Sequence, residues 1–360
     1  MHLLSHKKTL LSGLLLSFCL FTACGSDTGA DAAEASDTAS DTKVITNTAT
    51  TPSGKASDLV LDLTSADFTP LSEDEIPQNP YEDLSVPTYF TQIDDTYFIV
   101  DCYHNQVIYH DNLTDPLNQW QVMTSDINMG HTIVSDGLVY LIDDTENNRV
   151  LVFEKKDGIF YHTQTFEGIG NRPHYIVYRE ADNTFYVWSS MNGEMYLMRH
   201  NPEDTRMYLT EIRKVDGLEE TYVRSFTIIG DEIYFVSGIP NNTILCADLE
   251  SFTIKKAYPV PDELAGMIQL TKIQDYYYLT ISTDITGSQD YATMIRTQDL
   301  ENLETGSYED VYSHFIGGGT PYYITALGDS YYLTEHRLPG HSIWRFQVKD
   351  NEICNEETIY

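Results

Sequence analysis

An apolar strand, an acidic or polar corner and a second apolar strand return six times along this chain. The clearest copy runs Tyr140-Leu-Ile-Asp-Asp-Thr-Glu-Asn-Asn-Arg-Val-Leu-Val-Phe153, and weaker copies centre on Asp101, Ser189, Ser237, Ser282 and Thr334. The centres lie 42, 46, 48, 45 and 52 residues apart. A repeat of about 40–50 residues that holds several short strands is the mark of a β-propeller, because one such unit cannot bury its faces alone and a ring of them can. The expected fold is all-β: a six-bladed β-propeller with four antiparallel strands per blade, over residues 58–360.

Blades share a ring and cannot be divided into separate cores, so 360 residues make one folded domain here rather than two. The 26 Tyr and 14 Phe suit a pleated surface, where aromatic side chains pack well. Net charge is −34, from 55 acids against 21 Lys and Arg. Such a surface repels phosphate backbones, which excludes nucleic acid as a partner, and it repels anionic lipid headgroups, so no basic patch can hold the chain at a membrane.

The N-terminus supplies another means of attachment. Lys7 and Lys8 precede an apolar run from Leu10 to Phe21, too short for a comfortable membrane span, and Phe21-Thr22-Ala23-Cys24 follows. This resembles a bacterial lipoprotein signal, which implies removal of residues 1–23 and acylation (palmitate among the chains) of Cys24. More than one acyl chain would anchor the protein stably, at about 0.8 kcal/mol per buried methylene. Residues 24–57, rich in Ser, Thr, Ala and Asp, read as a disordered acidic tether that lifts the propeller from an extracytoplasmic membrane surface. Three cysteines remain, Cys102, Cys246 and Cys354, with spacings that fit neither a disulfide framework nor a zinc site. They read as packing residues; a Cys102–Cys354 bond between the first and last blades stays open.

Each unit divides into strands a to d, numbered outward from the ring centre. In the second, His131 opens strand a, Asp136-Gly137 turns a hairpin, Leu138 to Ile142 is strand b, and Asp143 to Asn148 is the corner. Asn147-Asn148 suits left-handed backbone. Leu59-Val-Leu-Asp-Leu63 reads as an added edge strand or a cover for the ring closure. The second unit resembles the NHL repeat in Asp143, Asn147-Asn148-Arg149-Val150 and Phe153, and the third carries the incoming part, Gly170-Asn-Arg-Pro-His-Tyr-Ile-Val177. The resemblance covers two units and implies a six-bladed propeller. It fixes no function, since such folds serve binders, lyases and lactonases alike.

The first residue of strand a and the b–c corner share one face, which places a ring at the channel mouth: Tyr89, His131, His174, Arg224 or Ser225, Gln269 and Tyr322. Corner residues stand around it, among them Asp101, His104, Asp143, Asp144, Glu335, His336 and Arg337, and the Gly317-Gly318-Gly319 loop enters the same face. A mouth with convergent polar and aromatic groups is the default ligand site. The ring does not repeat the channel histidines of metal-dependent propeller lyases, nor the Glu, Asn and Asp of calcium-holding lactonase-type propellers. No Gly-Xaa-Ser-Xaa-Gly elbow and no P-loop is present. The leading expectation is a membrane-anchored lipoprotein, monomeric, that binds an unknown extracellular ligand or protein at the mouth without catalysis and without a cofactor. The alternatives are a metal-dependent lyase or hydrolase using His131 and His174 as metal ligands, and an envelope assembly protein that works through its blade rims.

Overall fold

The structure is a computed structural model and describes residues 44–51, 54–55, 60–62, 75–238, 242–315, 319–336 and 342–360. The expected signal peptide, Cys24, the first part of the tether, Gly317, Gly318 and Arg337 lie outside the described residues.

Six four-stranded antiparallel blades follow one another in chain order, as the repeat predicts. Blade 1 comprises Pro87–Ile93, Thr96–Asp101, Gln106–His110 and Gln121–Thr124; blade 2 comprises Ile133–Ser135, Val139–Asp144, Arg149–Lys156 and Ile159–Phe166. Blade 3 runs from Pro173 to Lys214, blade 4 from Val223 to Pro259, blade 5 from Met267 to Asp310 and blade 6 from Thr320 to Thr358. Val60–Asp62 adds a fifth strand to blade 2, pairing antiparallel with Gln164–Phe166. The segment foreseen as an edge strand is therefore one, on blade 2 and away from the ring closure.

The strands read as continuous apolar runs because both faces of every blade are buried. In strand b of blade 2, Val139 and Leu141 pack in a cluster shared with blade 3, whereas Tyr140 and Ile142 pack in one shared with blade 1. Strand b of blade 1 divides likewise, Phe98 and Val100 toward blade 2 and Ile99 toward blade 6. The two-residue period of a strand thus distributes one sequence between two interblade cores. Six such clusters fill the six seams.

Near the channel each seam also carries a side-chain hydrogen bond to a backbone carbonyl of the next blade. Thr88 donates to Gly130 O (3.3 Å), Thr145 to Pro173 O (2.8 Å) and Trp188 Nε1 to Val223 O (2.9 Å). Ser225 donates to Ile268 O (2.6 Å), Thr280 to Tyr322 O (2.6 Å), and Thr334 closes the ring on Thr88 O (2.9 Å). The closure is reinforced outside: the Phe90 and Tyr332 rings pack tilted at 4.5 Å between centroids, and the Tyr360 hydroxyl accepts from Trp120 Nε1 at 3.0 Å.

Two sequence expectations change. Residues 44–49, assigned by composition to the tether, dock on the outer strand of blade 3. Asn47 Oδ1 accepts from Leu209 N at 2.8 Å, Ile45 N donates to Asn201 Oδ1 at 2.7 Å, and Ala49 is buried in the blade 2–3 cluster. Backbone pairing to an open strand edge, which composition does not encode, orders this polar stretch. Cys102 and Cys354 are unbonded, and Cys246 packs in the blade 4–5 cluster as expected.

Thr334→Val keeps the shape of the closing seam but leaves the buried Thr88 carbonyl without its donor. We expect a loss of about 1–3 kcal/mol in denaturant unfolding; an unchanged midpoint would show that the seam bond contributes nothing.

Candidate functional site

The inner strand enters five of the six blades through a β-bulge. Pro87 faces Asp101 but Tyr89 already faces Val100, so Thr88 is the extra residue of blade 1. The same shift makes His174 and Ile268 the extra residues of blades 3 and 5, and it falls at Arg224–Ser225 in blade 4 and at Tyr322–Tyr323 in blade 6. Continuing the Ile133–Ile142 register of blade 2 pairs Thr132 with Asp143 and puts His131 at the same place. The structural ring is Thr88, His131, His174, Arg224, Ile268 and Tyr322. Two of the residues placed in it by sequence, Tyr89 and Gln269, are one step further along their strands.

That single step decides what the two residues touch. Tyr89 stands edge-on to Tyr323, with centroids 6.1 Å apart, and burial pushes its hydroxyl far above the ordinary phenol range. Gln269 donates to Tyr175 Oη at 3.0 Å and accepts from Ile324 N at 2.7 Å. Both lie below the mouth, in a layer that plugs the channel.

The mouth itself is a cavity of about 320 Å³ to which all six blades contribute, including Thr88, His131, Arg172, Arg224, Tyr322 and His336. Tyr103, 56% exposed, stands at its rim. His174 lies against His131, the rings stacked at 3.7 Å. Tyr323 Oη is 3.1 Å from His174 Nδ1 and Tyr222 Oη is 3.1 Å from Nε2, so phenols occupy both of its nitrogens. Burial, assisted by Arg172 and Arg224, holds both imidazoles well below their usual pKa; His336 adds to the effect at His131 and His131 to that at His174. At neutral pH they are uncharged hydrogen-bonding groups. Stacked rings present faces to each other, whereas a metal needs in-plane lone pairs that converge on one point. Among the described residues no three His, Cys, Asp or Glu side chains form a group able to hold a metal.

Asp143 sits behind this wall. Its carboxylate is fully buried and accepts from His131 N (2.9 Å), Thr132 N (2.6 Å) and Thr145 Oγ1 (3.0 Å), and from the Thr132 hydroxyl. Burial nevertheless outweighs these bonds and pushes its pKa up to about 7. Thr145 Oγ1 links the Asp143 carboxyl and the Pro173 carbonyl to His131 Nδ1, from which it lies 2.9 Å.

The corners place the mouth's other charges. Asp101 and Asp144 occupy equivalent corner positions, and each accepts from a backbone amide of its own blade's entry loop, Ser85 N and Asn128 N, both at 2.7 Å. Asp144 also holds Asn147 (2.9 Å) and Arg149 Nε (2.6 Å). The acidic anchor of the second corner is therefore Asp144, while Asp143 faces inward. Asn148 adopts left-handed backbone (φ 54°) as its sequence predicts, and its Oδ1 accepts from Arg172 N at 2.7 Å. Arg172 is itself left-handed (φ 62°), as are Val86 and Met129 at the matching entries of blades 1 and 2 (φ 57° each). Positive φ is strained for a β-branched or long side chain, and all three residues line the mouth.

Of the residues singled out from sequence, His131, Arg224, Tyr322 and His336 meet at the cavity and His174 supports them. His104 does not join them: it pairs with Asp101 at 2.6 Å and stacks on Tyr81 at 3.5 Å. Gly319 approaches Glu335 rather than the cavity, since a Cβ there would lie 2.7 Å from Glu335 Cγ. Arg172 and Tyr222 were missed. Their signal was positional: each lies two residues before a ring residue of the aligned repeat. A larger cavity of about 810 Å³ lies on the blade 5 side, lined by Glu263, Asp290, Tyr291, Tyr308 and Asp310 among others. It lacks convergent groups from several blades, and the mouth is the better candidate on chemistry.

Comparison with solved structures supports the propeller fold. A candidate 6-phosphogluconolactonase from Bacteroides uniformis superposes with a TM-score of 0.55 at 12% identity, covering 76% of this chain and 86% of the other. Hydrazine synthase from Kuenenia stuttgartiensis gives 0.53 at 14%, covering 78% and 80%. Streptogramin B lyase gives 0.51 at 15%, covering 79% and 86%. At such identities the likeness concerns the fold alone. No protein-family model matches the sequence, the NHL repeat included, and no curated protein matches it.

Asp143→Asn tests the buried carboxyl. A raised folded pKa means that unfolded Asp143 ionises first, so its contribution to stability falls as pH rises from about 4 to 7 and is constant above. Thermal melts of the parent and the variant should therefore diverge across that window in the variant's favour. Parallel curves would show that Asp143 titrates normally.

Proposed function

We propose that this protein is a lipid-anchored extracytoplasmic binding protein whose propeller takes its ligand at the channel mouth and does not transform it. The carrying observation is the convergence of residues from all six blades on one cavity, with imidazole, guanidinium and phenol groups at its surface. Its volume suits a compact ligand or one side chain of a partner. The non-catalytic reading draws support from the state of the reactive groups. Burial pushes the Cys102 thiol far above its ordinary range, which keeps it protonated and unreactive. His174 has both nitrogens engaged, and Asp143 beside His131 is sealed behind the wall.

The anchor rests on Lys7, Lys8, the apolar run and Cys24. Cys24→Ser should move the protein from the membrane fraction to the soluble fraction of expressing cells; continued membrane retention would remove the lipoprotein assignment.

For the mouth, the double variant His131→Ala, Tyr322→Ala removes two of its aromatic walls. A ligand that co-purifies with the parent, identified by native mass spectrometry, should bind the variant at least about tenfold more weakly. Unchanged affinity would show that the ligand uses another face.

A further inference from the structure

We infer that the channel mouth selects a small organic anion. This rests on the reading of the mouth as a ligand site and names the ligand's chemical class. Acids outnumber Lys and Arg 55 to 21 in this chain. None of the sixteen residues lining the mouth is an acid, whereas two are Arg and two are His.

The two guanidinium groups are held by different means. Arg172 is fixed through its backbone: Asn148 binds its amide, and its left-handed φ sets the direction in which the side chain leaves. Glu146 on the neighbouring corner binds Nη1, while Nε is buried and has no hydrogen-bond partner among the described residues. The ion pair with Glu146 adds a side-chain anchor that holds the guanidinium at the cavity wall. Arg224 lies over the Tyr222 ring, its Cζ 4.7 Å from the centroid, and makes only long contacts at 3.4 Å and 3.5 Å with Met267 O and Ser282 Oγ. Its charge is positioned by the aromatic face and retains donors for a ligand.

The surroundings preserve this positive character. His131 and His174 stay neutral and do not compete for an anion with charges of their own. Asp143, behind the wall, is shifted by burial toward its neutral form. Outside the mouth, the acidic surface repels anions, so long-range attraction cannot bring the ligand in; recognition has to be short-range, by paired hydrogen bonds. A cavity of about 320 Å³ fits a molecule of sugar or amino-acid size that carries a carboxylate or a phosphate.

The test is calorimetric titration of the purified protein with three matched sets of compact probes: succinate and glycerol phosphate, neutral glycerol and glucose, and cationic choline. The anions should bind, with at least a tenfold loss in Arg224→Gln and in Arg172→Gln, both checked for parent-like thermal melts. Preference between succinate and glycerol phosphate then distinguishes a carboxylate from a phosphate ligand. Binding of neutral or cationic probes that both variants leave unchanged would overturn the anion assignment while leaving the mouth as a ligand site. Absence of anion binding by the parent would overturn it too, and the His131→Ala, Tyr322→Ala experiment judges the mouth separately.

Discussion

The ring depends on how each blade meets the next. No strand is shared between blades among the described residues, so closure relies on side chains: an apolar cluster in every seam and, beside the channel, one hydrogen bond from a hydroxyl or indole to a carbonyl of the following blade. The donors sit at different places, Thr88 and Ser225 on strand a, Trp188, Thr280 and Thr334 on strand b, and Thr145 in a corner. What is preserved is the acceptor, a backbone carbonyl where the next inner strand begins.

The same strand entries build the mouth. An extra residue in five of the inner strands shifts their pairing pattern, and with His131 of blade 2 the strand entries form the ring that includes Arg224 and Tyr322. Closure and site therefore meet at the start of each inner strand. The corners add the rest: Asp144 and Asn148 organise the blade 2 loop, and Asn148 carries that order across the seam to Arg172. In a chain of net charge −34, the cavity where these devices converge has no acid in its lining.

Much of this was legible beforehand. The spacing of the copies gave six blades, and Asn147-Asn148 gave the left-handed corner. His131, Arg224, Tyr322 and His336 were placed on the correct face because strand a and the b–c corner alternate regularly with the repeat. Tyr89 and Gln269 were misplaced by one residue, since a bulge adds a residue without changing the hydrophobic pattern around it. His104 was placed with the mouth because its corner neighbours are there, but the Asp101 carboxylate holds it on the outer side of the corner.

The sequence by itself determined the architecture, because two-residue alternation and a six-times-repeated period are properties of the chain that only a ring of stacked sheets satisfies. It also determined the overall acidity. Only the tertiary structure decided where that acidity is absent. The mouth draws its sixteen residues from all six blades, and the proximity of Arg172 to Arg224, or of His131 to His174, exists only once the ring has closed and the bulges have fixed the register. It also decided that residues 44–49 belong to the domain, because the open edge of blade 3 offers backbone partners that no composition records.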